Sequence, residues 1–254
     1  DNREYVSWTF RKAPKFFDVV TYTGTGSGGL SVSHNLGSAP GMIIVKNASR
    51  STDWMVLHRN DGSSYKNLHL NTTNADIGYL PDYWGNGTSF YQPTSTDFQV
   101  GTGSNVNFSG DTYVAYLFAH HDNDGSETGF GSDGDSPVIS CGSYSGTGAA
   151  GNFIDLGFEP QWLMTKSATG SENWIIQDNM RSMTDTDYAW LRANLSDAEI
   201  GGAFSGGTAA ARPTGFVINN TGTSNNGSGS TYIYMAIRRG SLFPPEAGDA
   251  TKVF

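Results

Sequence analysis

From Leu30 to His34 the chain alternates apolar and polar residues, Leu-Ser-Val-Ser-His, the period-two pattern of a strand with one wet face. Phe17 to Tyr22 alternates as well and reads as an edge strand, followed by a Gly-Thr-Gly turn. Met42 to Val45, Trp54 to Leu57 and Tyr113 to Ala119 are denser in apolar residues, as strands buried on both faces are. Strand signals return about every ten residues, a spacing that predicts a sandwich or barrel and argues against alternating strands and helices. No segment sustains a helical period; the best helix candidate is the short stretch Asp185 to Ala198, with Leu191 and Leu195 four apart.

The pattern occurs twice. Tyr22-Thr23-Gly24-Thr25-Gly26 returns as Tyr144-Ser145-Gly146-Thr147-Gly148, and Asn35-Leu36-Gly37 with Pro40 returns as Asp155-Leu156-Gly157 with Pro160. Ile43 to Lys46 matches Leu163 to Lys166, Asp53-Trp54 matches Asn173-Trp174, and Asp97 to Val100 matches Gly215 to Ile218. Thr112 to Tyr116 closes the first copy as Thr231 to Met235 closes the second. Each copy is too long for a solenoid unit, which runs about 20–50 residues, and has the size of a domain. The expected fold is therefore all-β, two tandem homologous β-sandwich (jelly-roll-like) domains at 17–120 and 137–239. An N-terminal connector (1–16), an acidic Gly/Ser linker (121–136) and a C-terminal connector (240–254) complete the chain, and Pro244-Pro245 marks the last as extended. The last strand of each unit is expected to pair with its first, which brings the unit's ends together.

Composition agrees. Gly supplies 33 of 254 residues, aromatics reach 13% and charged residues only 15%, so turn formers separate residues suited to a pleated, half-buried surface. The net charge of −9, with Lys and Arg sparse and scattered, excludes the basic face that nucleic acid requires. No apolar stretch is long enough to cross a bilayer and no secretion signal is present, so no membrane insertion is expected. The lone Cys141 leaves no internal disulfide and reads as a small buried residue. A chain that opens at Asp1 and ends on Lys252-Val253-Phe254, as on a new strand, reads as an excerpt of a longer polypeptide.

Catalysis finds little support. A glycosidase needs two carboxylates across a cleft, whereas glutamate occurs only at Glu4, Glu127, Glu159, Glu172, Glu199 and Glu246, in linkers and turns, and none recurs between the copies. Asp53 returns only as Asn173, an exchange that abolishes acid–base chemistry but preserves a turn or strand cap. His34, His58 and His69 fit no zinc motif; His120-His121, adjacent on a strand, should point to opposite faces at a solvated strand end. The segment Asp122 to Asp135 is rich in oxygen ligands and could wrap Ca²⁺, but it lacks the downstream glutamate of an EF-hand and equally suits a linker. No cofactor, metal or catalytic residue is assigned. Thr221 to Ser230 reads as a hairpin tip without chemical content. Tyr79, Tyr83, Trp84, Phe90 and Tyr91 crowd the middle of the first copy, as a packed loop, an interface or a sugar-stacking platform; the matching Gly201 to Pro213 holds small residues instead.

The opening Ser7 to Val20, then Tyr22 to Gly26, Ser33 to Gly37 and Pro40 to Lys46, resembles a repeated domain of large structural proteins of tailed bacteriophages, especially marine and cyanobacterial ones. Cys141 to Tyr144 and Leu156 to Trp162 resemble its usual partner copy. The resemblance implies a non-enzymatic virion protein, in a tail fibre or spike that serves host attachment, with a capsid decoration or head fibre protein and a carbohydrate-binding adhesin module as alternatives. It further implies as partners other virion proteins and copies of the chain itself, by analogy a homotrimer, and a host-surface glycan. In the adhesin case Trp84 or Tyr83 would carry binding.

Overall fold

A computed structural model describes residues 5–121, 137–185, 187–203 and 209–240. It is all-β, with two single-turn helices. The first copy contains β1 (Phe17–Thr23), β2 (Leu30–Ser33), β3 (Pro40–Asn47), β4 (Met55–His58), β5 (Lys66–His69), α1 (Leu80–Tyr83), β6 (Asp97–Val100), α2 (Ser104–Asn107) and β7 (Thr112–Ala119). The second contains β8 (Ile139–Ser145), β9 (Asn152–Asp155), β10 (Pro160–Ser167), β11 (Ile175–Asp178), β12 (Asp187–Trp190), β13 (Ile200–Ala203), β14 (Ala209–Arg212), β15 (Gly215–Ile218) and β16 (Thr231–Arg238).

Strand pairing repeats the sequence duplication. The first copy forms a sheet of order β1-β7-β3-β4-β5 beside a β2-β6 pair; the second forms β8-β16-β10-β11 beside β9-β15-β14. First and last strands pair antiparallel in both copies, with Tyr22 opposite Tyr113 and Tyr144 opposite Tyr232. Those rings stack at 5.0 Å and 5.2 Å between centroids, a cross-strand contact that pins register beyond what area alone supplies. A register shift follows the opening proline of both β3 and β10, between Pro40 and Met42 and between Pro160 and Trp162. β1 lies at a sheet edge, as its alternation predicts, and Met42 to Val45 are buried throughout.

The stretch Asp185 to Ala198 contains no helix among its described residues. It carries β12 and then Leu191, which bridges Ile176 and extends the sheet past β11. The hairpin-tip reading of Thr221 to Ser230 is also corrected. β15 pairs with β9 and β14 whereas β16 pairs with β8 and β10, so this segment crosses from one sheet to another and has to bury its own polar groups.

The two copies share a core. On β16 the side chains of Tyr232, Tyr234 and Ala236 join Ile154, Leu163 and Phe216 in one apolar cluster. The alternate residues Ile233, Met235 and Ile237 join Met42, Ile44, Val56 and Phe118 of the first copy in another. Period two thus sends successive side chains into different clusters, and both faces of this strand are dry. The N-terminal segment reinforces the junction: Trp8 and Phe10, two apart, pack edge-on against Trp162 at 6.2 Å and 5.9 Å. The Trp8 Nε1–H donates to Asp178 Oδ2 at 2.9 Å.

Candidate functional site

Two pairs of deeply buried polar residues, one member in each copy, are structural braces. Asn107 Oδ1 accepts from the Thr25 N–H at 2.7 Å while its Nδ2 donates to Ser27 O and Gly101 O. Asn226 does the same in the second copy, accepting from the Thr147 N–H at 3.0 Å and donating to Ala149 O and Asn220 O. Tyr113 accepts from the Phe108 N–H and donates to Ser104 O; Tyr232 accepts from the Gly227 N–H and donates to Thr223 O. Each node satisfies loop amides and carbonyls that would otherwise be buried without partners, which would cost about 1–3 kcal/mol each. The Thr-Tyr pairs were visible in the sequence, but the asparagines lie in segments too diverged to align by eye.

Asp53 and its counterpart occupy one structural role. The Asn71 Nδ2 donates to Asp53 Oδ1 at 2.9 Å and the Trp54 N–H donates to Asn71 Oδ1. In the second copy the Asn194 Nδ2 donates to Asn173 Oδ1 at 2.7 Å and the Trp174 N–H to Asn194 Oδ1. Only the acceptor oxygen matters, and either side chain provides it. Glu159 pairs with Arg239 at 2.8 Å, Glu199 with Arg181 at 2.5 Å, and Glu172 accepts from Ser224. Glu4, Glu127, Glu246 and the acidic segment 122–135 lie outside the described residues. Among those described, no group of three or more His, Cys, Asp or Glu is placed to hold a metal ion, and no helix is long and apolar enough to cross a membrane.

Among the described residues the histidines form no group placed to hold a metal ion. His58 is buried where the copies meet: its Nδ1 accepts from the Asn60 N–H, so Nε2 carries the proton and donates to Tyr234 O at 3.0 Å. Burial lowers its pKa to about 4. His34 is lowered by burial too, and its Nδ1 accepts from the Leu36 N–H. His69 lies 4.0 Å from Asp53. The solvated end expected for His120-His121 is not found, because the chain turns there into the junction: His121 is buried, and the two Nδ1 atoms accept from the Cys141 and Val138 N–H groups. Cys141 is buried as expected, and burial pushes its thiol far above the usual range.

Of the aromatic group, Trp84 is fully buried and donates its Nε1–H to Asn67 Oδ1 at 2.9 Å. Phe90 packs on Tyr65, and Tyr91 hydrogen-bonds Asp97; only Tyr79 stands free, with 75% of its surface exposed. Trp84 is thus packed into the loop, and the binding role that the adhesin alternative would give it is unavailable to it.

Among the described residues, grooves open on the surface, and two of them are polar. One, of about 420 Å³, lies among Glu159, Asn179, Thr184, Asp185, Arg212 and Arg239, whose charges are paired, Glu159 with Arg239 and Asp185 with Arg212. The other, of about 370 Å³, lies where the copies meet. The first copy lines it with Arg59, Asn60, Asp61, His120 and His121; the second adds Ser140, Ser143, Asp155 and Tyr234. Nothing in the sequence pairs these residues, which stand from 19 to 175 positions apart on the two sides.

Asp61 is held ionised by hydrogen bonds, first from the Ser64 N–H and then from the Ser63 hydroxyl. Asp155 Oδ1 accepts from the Gly157 N–H at 3.1 Å. Among the described residues no carboxylate lies within ion-pair distance of the Arg59 guanidinium. Burial raises the Tyr234 phenol, which stays neutral at physiological pH.

The fold thus defines a class: a duplicated antiparallel β unit whose copies are fused through a shared core, with a polar groove at the seam. The chain belongs to the DUF7483 family, described as a domain of unknown function, whose model matches residues 6–239 and so spans both copies. No curated protein and no solved structure matches the chain.

Proposed function

We propose that the chain is a non-enzymatic bacteriophage virion module, part of a tail fibre or spike engaged in host attachment and built as two tandem β-sandwiches. The observation that carries the mechanical half of this reading is β16, whose two faces feed two apolar clusters and lock the copies into one body. Side chains that chemistry could have used brace the backbone instead: Asp53 serves the same acceptor role as Asn173, and His58 is neutral and spent on Tyr234. A rigid module of this kind transmits force and presents flanking segments at fixed separation. The virion half rests on the likeness of Ser7 to Val20 and Pro40 to Lys46 to structural proteins of tailed phages, with self-association as a trimer by analogy. Antibodies raised against the fragment should label purified particles at the tail in electron micrographs. Labelling of the head would move the module to a decoration or head fibre protein, and unlabelled particles would refute a virion role.

A further inference from the structure

We propose that the groove at the seam of the two copies binds a neutral sugar unit, with Arg59, Asp61 and Asp155 as its hydrogen-bonding edge. The inference goes beyond the structural role and does not depend on it. A volume of about 370 Å³ suits one or two pyranose rings. The lining supplies both halves of what vicinal hydroxyls require: acceptors in two carboxylates, donors in a guanidinium, and the hydroxyls of Ser140, Ser143 and Tyr234.

Charge selects within that chemistry. A phosphate or uronate would be drawn to Arg59 but would face Asp61 and Asp155; an amine would be drawn to the carboxylates but would face the Arg59 cation. A neutral polyol accepts from one and donates to the others without a like-charge contact. Asn60, buried in the same wall, is held in place as its Nδ2 donates to Ser64 Oγ at 2.7 Å. The site exists because β8 reaches the first copy: a Cβ on Gly41 would stand 2.7 Å from the Cβ atoms of both Cys141 and His120, so only glycine permits this approach.

Saturation-transfer NMR on the full chain tests the site, with glucose, galactose, mannose and N-acetylglucosamine as probes and glucuronate and glucosamine as charged comparators. At least one neutral sugar should show saturable transfer, weakened tenfold or more in Arg59→Met and in Asp155→Ala, with melting temperatures near the parent's. Asp155 is exposed, so its variant folds even where Arg59→Met does not. Glu159→Gln, in the other groove, should bind as the parent does. Transfer from no neutral sugar, stronger transfer from a charged comparator, or binding that both groove variants leave intact would each overturn the proposal. None of these outcomes bears on particle labelling, so the two readings fail separately.

Discussion

His58 donates its Nε2–H to the backbone carbonyl of Tyr234, 3.0 Å away, and so ties β4 of the first copy to β16 of the second. Charging this imidazole leaves Nδ1, already accepting from the Asn60 N–H, with a proton where an acceptor is needed. The folded pKa of about 4 lies below the ordinary 6.5. The unfolded chain therefore binds a proton that the folded chain refuses, and stability is full above pH 6.5 and is lost as pH falls toward 4. The contribution is of order 3 kcal/mol. Urea midpoints measured from pH 7 to 4 should fall more steeply for the parent than for His58→Gln, which keeps a donor and an acceptor but does not titrate.

Lys166 predicts a slope at the other end of the scale. It is fully buried, its ammonium donates to Thr73 O, Ser167 O and Gly170 O, and burial lowers its pKa from 10.5 to about 8. Between those two values the unfolded chain holds the proton more tightly, so stability rises with pH through that window. Its counterpart Lys46 is only half-buried and donates to Thr52 O at 2.8 Å. Lys166→Met should abolish the rise, and Lys46→Met should leave it in place, in melting temperatures recorded from pH 8 to 10.

The buried amides should be indispensable in both copies. Asn107→Ala or Asn226→Ala leaves a loop amide and two carbonyls without partners, a loss of about 2–3 kcal/mol in urea unfolding. Substitution by Asp should not rescue either site, because its second oxygen would face carbonyl oxygens where the Nδ2 now donates. Asp53→Asn, by contrast, reproduces what Asn173 already does and should change stability by no more than about 0.5 kcal/mol.

Gly41→Ala should damage the seam selectively. The new methyl would meet the Cβ atoms of Cys141 and His120, neither of which can swing aside, at a cost of about 1–3 kcal/mol. Hydrogen exchange should quicken along β8 and the end of β7 while the Asn226 loop keeps its protection.

Much of this fold was legible because its determinants are local. Alternation and turn residues located β1 and β2 and apolar density located β3, and the internal repeat located the counterparts β8 and β10. What escaped depends on contacts between residues far apart. Trp84, among Gly and Pro, could be read as packed, at an interface or as a platform; Asn67, on β5, is what fixes it inside. Thr221 to Ser230 has the composition of a solvent-facing turn, and only the crossing between sheets buries Asn225 and Asn226. The seam groove is the extreme case: Arg59 and Asp155 belong to separate copies, and no spacing along the chain joins them.

The central claim is that the two copies form one body, and Cys141 reports on it directly. This single thiol is buried on β8 against Ala119 of β7, its Sγ 3.6 Å from that carbonyl oxygen. Its labelling by a thiol reagent in rising urea should be compared with loss of β-sheet circular dichroism. The account predicts that the thiol stays protected until the global transition, with one shared midpoint. Labelling complete well before that midpoint, with the sheet signal still at its native value, would mean that the copies part while folded and would contradict the shared core.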